Sequence, residues 1–440
     1  MLVYILTTRM QHARRPPAIA ISWVLGLIAL PYIVLPMYLL FGQRKLPRKN
    51  SPRLEAASHA GHWAEELIRS FGLAAAAPAD IRMHKDGSEA AHGLFATMSS
   101  AVSRLDICTF ILGDDAFGRE AMQRMMERAR CGVDVRLLLD GVGCMQLPSA
   151  CLKRMDSAGI EIAIFSPLFA RKTQGPRNLR NHRKLAIADR HRLWAGGRNL
   201  AAEYFTGGPS PWRDLTFDLD GAVAGAAASQ FEEDWVAAGG KPASCEAANS
   251  TAPRVTVAAP HERGRAQFLP SGPDQTEDTV HALLIDACFQ ARGRILAVSP
   301  YFVPDASLQS AMRLAARRGV QIDFCIPAAS NHRLADFARN RSLRALTQAG
   351  VAFHLLPDMN HAKAVVFDES LAVSGSVNID SRSLLLNYES AVVFYGAAEI
   401  NWLADWIAAL IPGAQSFDCR APGLLRDLAE GLLLAVAYQL

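Results

Sequence analysis

Hydrophobic and polar positions follow the same order twice along this 440-residue chain. Residues 126–139 begin with an amphipathic stretch, continue through a glycine and end in an apolar run, and residues 314–326 repeat this pattern. A glycine at the end of a helical stretch, followed by an apolar run of strand length, predicts a helix and then a buried strand. The repeat therefore indicates two copies of one structural unit.

Further pairs of segments extend the repeat on both sides of this unit. Residues 152–165 and 343–355 each carry a helical stretch, an Ala-Gly pair and a second apolar run. Residues 105–112 and 295–303 supply an opening strand for each copy. Because helices alternate with strands in both copies, the pattern predicts an α/β fold made of two similar halves.

The two halves are predicted to occupy residues 54–238 and 261–440. The run between them, residues 239–260, is rich in Ala, Pro, Ser and Asn and is predicted to be a linker. Half of the residues are hydrophobic, which is sufficient for two cores in a chain of this length. From Leu424 onward, apolar residues recur at helical spacing and predict a C-terminal helix. This helix would either pack against the second half or lie on a membrane surface.

The N-terminal segment has the pattern of a membrane anchor. No charged residue occurs between positions 18 and 41, and a helix of this length spans about 35 Å, enough for the apolar core of a bilayer. A basic stretch follows, containing Arg44, Lys45, Arg48, Lys49 and Arg53. The apolar stretch is too long for a cleaved signal peptide, and no small-residue cleavage site follows it. Residues 1–53 are therefore predicted to be an anchor and a basic tether, and the positive-inside rule places the rest of the chain in the cytoplasm.

One polar motif, His-x-Lys-x-x-x-x-Asp, occurs in each half and is followed at the same interval by an asparagine. Its members are His182, Lys184, Asp189 and Asn199 in the first half, and His361, Lys363, Asp368 and Asn378 in the second. Side chains two residues apart on a strand point to one face, so the His and Lys of each copy project together. Imidazole serves as a nucleophile or an acid near neutral pH, and ammonium and amide groups stabilise charge on phosphate oxygens. Two copies indicate one phosphodiester site built from two half-sites, with no requirement for a metal or a cofactor.

The motif aspartates, Asp189 and Asp368, allow two interpretations. Both follow the end of an apolar run and precede polar residues, which is typical of a hairpin turn. Their repeated spacing from His and Lys is equally consistent with a catalytic role. The sequence alone leaves both open.

The net charge and the cysteine content indicate which binding partners and which cellular compartment to expect. The net charge of +4 is too mild and too dispersed to indicate nucleic-acid binding. The eight cysteines contain no Cys-x-x-Cys pair, which is typical of a reduced cytosolic protein rather than of a disulfide framework. Residues 166–181 form an insertion absent from the second half and carry four basic residues. This insertion is either a solvated basic loop or a guide for an anionic headgroup.

The paired motifs resemble those of the phospholipase D superfamily. The resemblance implies two α/β/α sandwich halves with the active site at their interface. It also implies that His182 attacks phosphorus to form a phosphohistidine and that His361 protonates the leaving alcohol, while both lysines and both asparagines hold the phosphate. In that family a carboxylate after each motif orients the histidine, and the candidates here are Asp214 and Glu389.

The succession of anchor, basic tether, first motif, linker and second motif resembles bacterial cardiolipin synthases of the phospholipase D type, as does the Ser-Pro-Tyr-Phe-Val-Pro segment at residues 299–304. This resemblance implies a transferase of the bacterial inner membrane that joins two phosphatidylglycerol molecules into cardiolipin and releases glycerol. A phospholipase D hydrolase, or a transferase for another headgroup, would carry the same motifs. The anchor and the mild charge disfavour a nuclease, and a non-catalytic scaffold would be expected to lack a motif His or Lys. The oligomeric state stays open.

Overall fold

The computed structural model describes residues 26–28, 30–32, 34–35, 61–167, 178–205, 212–242, 264–427 and 430–431. Within these ranges no helix combines the length and the apolar character needed to cross a membrane. Most of the predicted anchor at residues 18–41 lies outside the described residues, as do the basic tether and most of the predicted linker and of the basic insertion. The predictions for these segments remain predictions.

Short strands account for most of the regular structure near the two motifs. In the described part of the chain the strands are β1 (Ala77–His84), β2 (Arg104–Thr109), β3 (Asp134–Asp140), β4 (Glu161–Phe165), β5 (Leu185–Ala188), β6 (Arg192–Gly196), β7 (Thr216–Gly221), β8 (Gly264–Ser271), β9 (Arg294–Val298), β10 (Phe302–Val303), β11 (Gln321–Pro327), β12 (Ala352–Leu356), β13 (Ala364–Phe367), β14 (Leu371–Gly375), β15 (Ile379–Asp380), β16 (Glu389–Phe394) and β17 (Gln415–Ser416).

The helices between these strands follow the periodicity of the sequence. Over the same ranges they are α1 (Trp63–Ser70), α2 (Gly87–Ser100), α3 (Ala116–Arg130), α4 (Ser149–Ser157), α5 (Ala222–Ala237), α6 (Thr279–Gln290), α7 (Ala306–Arg317), α8 (Arg333–Thr347), α9 (Ser381–Leu385) and α10 (Ala397–Ala408). Single turns of 3₁₀ helix occur at Ala202–Tyr204 and Ile411–Gly413.

The strand order repeats between the halves. The first half has the order β7-β6-β5-β2-β3-β4 beyond β1, and the second has β16-β14-β13-β9-β11-β12 beyond β8. An antiparallel pairing of β1 with β8 joins the two sets. The predicted α/β fold with two similar halves is therefore confirmed.

The strands of both halves form one continuous 15-stranded sheet, and helices on both of its faces bury the strands beside the motifs. In β5, Leu185 and Ile187 face a cluster that includes Phe231 of α5, whereas Ala186 and Ala188 face a different cluster, to which α2 contributes. In the second half, β13 divides its side chains between α10 and α6 in the same way. Burial on two faces explains why these strands are continuous apolar runs rather than alternating ones.

One core is shared by the two halves. It includes Phe217 of β7 and Phe394 of β16, whose ring centroids are 5.2 Å apart. Another crossing of the boundary involves α1, where Ala64 and Ile68 pack in the same cluster as Leu283 of α6. The sequence-based division at residue 54 assigns α1 to the first half, but its buried face lies on the second.

Strand direction places the motif residues at one edge of each half. In the first half β5 runs antiparallel to β2, so His182, just before β5, lies near the carboxyl end of β2. Asp214, just before β7, lies at the same edge because β7 pairs antiparallel with β6 and β6 with β5. The second half repeats this arrangement for His361 and Glu389.

The C-terminal segment is held by charged residues. Residues 424–427 and 430–431 are helical, and the buried Glu430 pairs with Arg344 of α8 and with Arg426. Leu424 and Leu425 are exposed. The predicted apolar stripe continues through positions 428, 432 and 436, which lie outside the described residues.

Candidate active site

Backbone hydrogen bonds join the two halves beside both motif histidines. The N–H of His182 donates to the carbonyl of Tyr388 over 2.8 Å, and the N–H of His361 donates to the carbonyl of Arg213 over 2.6 Å. Tyr388 and Arg213 each immediately precede a candidate carboxylate. Each histidine is therefore brought beside the carboxylate of the opposite half.

The side chains pair in the same crossed manner. Nδ1 of His182 lies 3.1 Å from Oε2 of Glu389, and Nδ1 of His361 lies 2.7 Å from Oδ2 of Asp214. Both carboxylate side chains are fully buried. An ionised carboxylate only accepts hydrogen bonds, so Nδ1 carries the proton and Nε2 keeps its lone pair for reaction. Neither half alone holds a complete pair.

Sheet register explains why the two carboxylates follow their motifs at different intervals. Gly196 pairs with Thr216, and Gly375 pairs with Ala391. Asp214 and Glu389 each lie two residues before the paired residue of their strand, so they occupy the same position in the fold. The larger interval in the first half reflects a longer loop between β6 and β7.

Both motif lysines are buried beside the histidines. Nζ of Lys184 donates to the carbonyl of His182 over 2.6 Å, and Nζ of Lys363 donates to that of His361 and lies 3.0 Å from its Nε2. Burial lowers the pKa of Lys184 to about 8 and that of Lys363 to about 7, even though the nearby carboxylates oppose the effect. Two buried amines whose pKa values are lowered by burial favour the binding of an anion between them. A phosphodiester carries the required single negative charge.

The histidines are neutral bases at pH 7. Burial, and then the nearby charge of Lys363, lowers the pKa of His361 to about 3, and burial also lowers the pKa of His182 against the opposing effect of Glu389. A neutral imidazole is competent as a nucleophile. A bound phosphodiester would raise both pKa values, which allows the second imidazole to carry a proton as an acid.

Aromatic side chains enclose the two imidazoles. The ring of Phe110 lies 5.0 Å from that of His182, and the rings of Tyr204 and Trp212 lie 5.0 and 5.7 Å from that of His361. These contacts limit the access of water to the histidines and contribute to their burial. The sequence analysis did not identify these three residues, because none of them belongs to the repeated motif.

The motif asparagines lie just beyond β6 and β14, at the edge that carries the histidines. Oδ1 of Asn199 accepts from the N–H of Ile111 over 3.2 Å, and Nδ2 of Asn378 donates to Ser383 over 3.2 Å. Oδ1 of Asn378 is buried and has no hydrogen-bond partner among the described residues. A phosphate oxygen only accepts hydrogen bonds, so the group of Asn378 that can make the predicted phosphate contact is the second N–H of Nδ2.

Asp189 and Asp368 do not join the site. The carboxylate of Asp189 accepts from the backbone N–H groups of residues 102–104 at 2.7 to 2.8 Å, and that of Asp368 accepts from residues 292–294 at 2.7 to 2.9 Å. Both residues occupy the hairpin turn after their strand with positive φ, 49° and 50°. Asp189 lies at the far end of β5 from His182, roughly 20 Å away at ~3.3 Å per residue. The contacts support the turn interpretation and correct the catalytic one, since neither carboxylate reaches the histidines.

Arg183, which lies between the first His and Lys, is a further residue that the sequence analysis missed. It is completely buried, and its guanidinium pairs with Asp234 of α5 and Asp274 beyond β8. Its Nε also donates to the backbone carbonyl of Glu389 over 2.9 Å. Arg183 therefore ties the two halves together and fixes the backbone that carries the partner of His182. Its place between the motif His and Lys, directly before an apolar strand, was the available signal.

Ser376 supports the same pair from the second half. Its hydroxyl donates to Oε2 of Glu389, and Nδ2 of Asn387 donates to Oε1 over 3.3 Å. The equivalent position in the first half is Gly197, where a Cβ would lie 2.1 Å from Oδ1 of Asp214. The two His–carboxylate pairs are thus similar in geometry but differ in the residues that contact the carboxylate.

The described residues contain no group of three or more His, Cys, Asp or Glu side chains arranged to bind a metal. The groups that converge on the histidines are the lysines, the carboxylates and the motif amides. This set can hold a phosphodiester, place one imidazole as a nucleophile and supply a second imidazole for proton transfer.

Comparison with known proteins adds a family likeness to this geometry. Residues 94–235 and 284–411 match a family model described as cardiolipin synthase, PLD-like domain, and each match contains one motif. The chain is similar to cardiolipin synthase A of Pseudomonas aeruginosa (strain LESB58), with 30% identity over 424 aligned residues that cover 89% of this chain and 85% of that protein. It is also 30% identical to cardiolipin synthase A of Pseudomonas putida (strain W619) over 398 residues, covering 84% of this chain and 81% of that protein.

Solved structures share the fold at low identity. Phosphatidylserine synthase of Haemophilus influenzae Rd KW20 superposes with a TM-score of 0.63 and 12% identity, covering 86% of this chain and 100% of that chain. Polyphosphate kinase of Porphyromonas gingivalis superposes with a TM-score of 0.51 and 13% identity, covering 90% of this chain and 59% of that chain. The two-half architecture is therefore found in other proteins as well.

Proposed function

This chain belongs to the cardiolipin synthase family of phospholipase D-like proteins, and we propose that it transfers a phosphatidyl group from one phosphatidylglycerol to the headgroup hydroxyl of another, giving cardiolipin and glycerol. The observation that carries this proposal is the crossed pairing of His182 with Glu389 and of His361 with Asp214 around two buried lysines. This arrangement exchanges one phosphodiester for another without an activated donor.

In the first step, Nε2 of His182 attacks the phosphorus of the donor lipid. The bond from phosphorus to the headgroup glycerol oxygen breaks, and His361 in its protonated form delivers a proton to that oxygen. Lys184, Lys363 and the motif asparagines stabilise the charge on the remaining phosphate oxygens. Glycerol leaves, and the phosphatidyl group stays on His182.

In the second step, His361 removes the proton from a headgroup hydroxyl of the acceptor lipid. The resulting oxygen attacks phosphorus, the bond to His182 breaks, and cardiolipin forms. The carboxylates keep both imidazoles in the tautomer that exposes Nε2. The proton gained by His361 restores its starting state, so the cycle balances.

The apolar segment at residues 18–41 and the basic tether after it fit the need of such an enzyme for a membrane. We infer that they anchor the catalytic halves at the cytoplasmic face of the bacterial inner membrane, where a basic residue near anionic lipid contributes about 1 kcal/mol. Deleting residues 1–43 should lower cardiolipin formation on vesicles much more than cleavage of a soluble short-chain lipid. Equal rates of cardiolipin formation by the truncated and full chains would contradict this role.

A phospholipase D hydrolase is the alternative, because it would use the same residues and admit water in the second step. The test is to incubate the full chain with vesicles of labelled phosphatidylglycerol and separate the products. Cardiolipin and free glycerol are expected, with His182→Ala and His361→Ala each at least ~10³-fold slower. If phosphatidic acid were the main product, the chain would be a hydrolase rather than a synthase.

The roles of the two histidines can be separated with a lipid whose leaving group needs no proton. With phosphatidyl-4-nitrophenol, His361→Ala should release one equivalent of nitrophenolate in a burst and then stall, since the first step no longer needs an acid. His182→Ala should give no burst. The reverse pattern would exchange the nucleophile and the acid.

A further inference from the structure

Exposed apolar side chains occur in and just after the two loops that follow β3 and β11, which are equivalent in the two halves. In the first loop Val142 is 37% and Met145 is 58% exposed, and just after the second loop, in the first turn of α8, Leu334 is 59% exposed. Isolated apolar residues on a protein surface are ordinary. The position of these three exposed side chains relative to the motif histidines distinguishes them from such isolated residues.

The first loop is fixed against the wall of the site. The carboxylate of Asp140 accepts from the N–H groups of Val142 (2.8 Å) and Gly143 (3.2 Å). Sγ of Cys144 donates to the carbonyl of Phe110 over 3.2 Å, and the ring of Phe110 lies against His182. Val142 and Met145 therefore belong to a turn that contacts Phe110, whose ring lies against the reacting histidine.

The second loop is attached to the other side of the site. The hydroxyl of Tyr301 donates to Oδ1 of Asn331 over 2.6 Å, and its ring lies 5.2 Å from that of His332. Oγ of Ser299 donates to the carbonyl of Tyr301 over 2.7 Å and accepts from the N–H of Ile379 over 3.0 Å, and Ile379 directly follows the motif residue Asn378. Leu334 follows His332 by two residues.

Basic residues accompany both apolar tips. Lys153 and Arg154 are exposed on α4, which starts just after the first loop, and Arg333 is exposed next to Leu334. An anionic bilayer attracts such residues, while its interfacial region accepts the apolar side chains beside them. Positive charge beside exposed apolar side chains is therefore complementary to an anionic lipid surface.

We propose that Val142, Met145 and Leu334 enter the surface of an anionic bilayer and set the mouth of the active site against it. This inference rests on the proposed function, which requires two lipids to reach the histidines with their acyl chains still in the membrane. Three contact points from two halves fix the orientation of the enzyme, which a single flexible anchor does not. Orientation matters because the second lipid must arrive before water does.

The experiment compares full-length variants on two substrates. Met145→Glu and Leu334→Glu place a charge where an apolar side chain would enter an anionic surface. Leu314→Glu is the matched control, because Leu314 is 46% exposed on the last part of α7, which leads to the amino end of β11, the opposite edge of the second half. Met145→Leu controls for the loss of methionine itself. The substrates are phosphatidylglycerol vesicles and monomeric dihexanoyl-phosphatidylglycerol.

On vesicles, Met145→Glu and Leu334→Glu should each make cardiolipin about tenfold more slowly than the wild type, the factor expected when one large apolar side chain is withheld from a bilayer. Leu314→Glu and Met145→Leu should stay within about twofold. All four variants should turn over the monomeric lipid at the rate of the wild type.

Wild-type rates on vesicles for both glutamate variants would overturn the proposal. An equal loss of rate on both substrates would also overturn it, because it would show that the loops serve the active site itself. Failure of the wild type to make cardiolipin would instead refute the proposed function.

Discussion

Nδ1 of His182 lies 3.1 Å from Oε2 of Glu389, although the two residues are 207 positions apart and belong to different halves of the molecule. The reciprocal pair, His361 with Asp214, has the same geometry. Because each pair takes one member from each half, packing of the two halves is part of the construction of the site. Arg183 and the backbone bonds beside both histidines hold this packing in register.

The crossed pairing predicts which carboxylate serves which step. Glu389→Gln should slow nucleophilic attack by on the order of 10²-fold or more, because the imidazole of His182 loses its orienting charge. It should therefore suppress the nitrophenolate burst from phosphatidyl-4-nitrophenol. Asp214→Asn should slow turnover of phosphatidylglycerol by a similar factor and keep the burst. If Asp214→Asn abolished the burst and Glu389→Gln preserved it, each carboxylate would serve the histidine of its own half.

Much of the fold could be predicted from the sequence because it is a matter of local pattern. The repeated order of helices and strands gave the two α/β halves, and the spacing in the motifs brought His182 and Lys184 together at one end of β5. The candidates Asp214 and Glu389 were also found, although their unequal intervals obscured their equivalence. Sheet register, which no local pattern reveals, shows them at the same position.

The remaining features depend on contacts between distant segments. The crossing of the pairs, the enclosure of His361 by Tyr204 and Trp212, and the docking of α1 on the second half all arise when the halves pack together. A turn and a catalytic site both favour aspartate, so the sequence could not decide the role of Asp189. Only the hydrogen bonds from residues 102–104 distinguish the turn role of Asp189 from a catalytic role.

The buried lysines predict a particular dependence of substrate binding on pH. Lys363 and Lys184 have pKa values lowered by burial to about 7 and about 8, so both amines lose their protons as pH rises through this range. The free enzyme then attracts a phosphodiester less well, and KM should increase from pH 7 to pH 9. Bound phosphate raises both pKa values, so kcat should change less over the same range. A KM on monomeric dihexanoyl-phosphatidylglycerol that is constant up to pH 9.5 would argue against these shifts.

The same burial predicts that Lys363 opposes folding. Its pKa is about 7 in the folded protein, against the ordinary lysine value of 10.5, so the unfolded chain binds its proton more tightly at neutral pH. Lys363→Met should abolish activity and raise the Tm at pH 7 by about 2 °C or more. The gain should shrink as pH approaches 10.5, where the two states bind the proton more equally. Lys153→Met, at an exposed position, is the control and should leave the Tm unchanged; a lower Tm for Lys363→Met would show that its hydrogen bond to His361 outweighs desolvation.

Substitution of the turn aspartates is expected to lower stability and to leave catalysis intact, the opposite of the effect predicted for Lys363→Met. Asp189→Asn keeps a residue that tolerates positive φ but weakens the charge-assisted bonds to three backbone N–H groups, which should lower the free energy of unfolding by about 1–3 kcal/mol. Asp368→Asn should behave alike, since its carboxylate holds residues 292–294 in the same way. Per folded molecule, kcat on phosphatidylglycerol should remain within about twofold for both, because the histidines stand at the other end of their strands. Thermal unfolding and kcat measured on the same preparations decide the matter: an unchanged Tm with a large fall in kcat would restore the catalytic interpretation of these two residues.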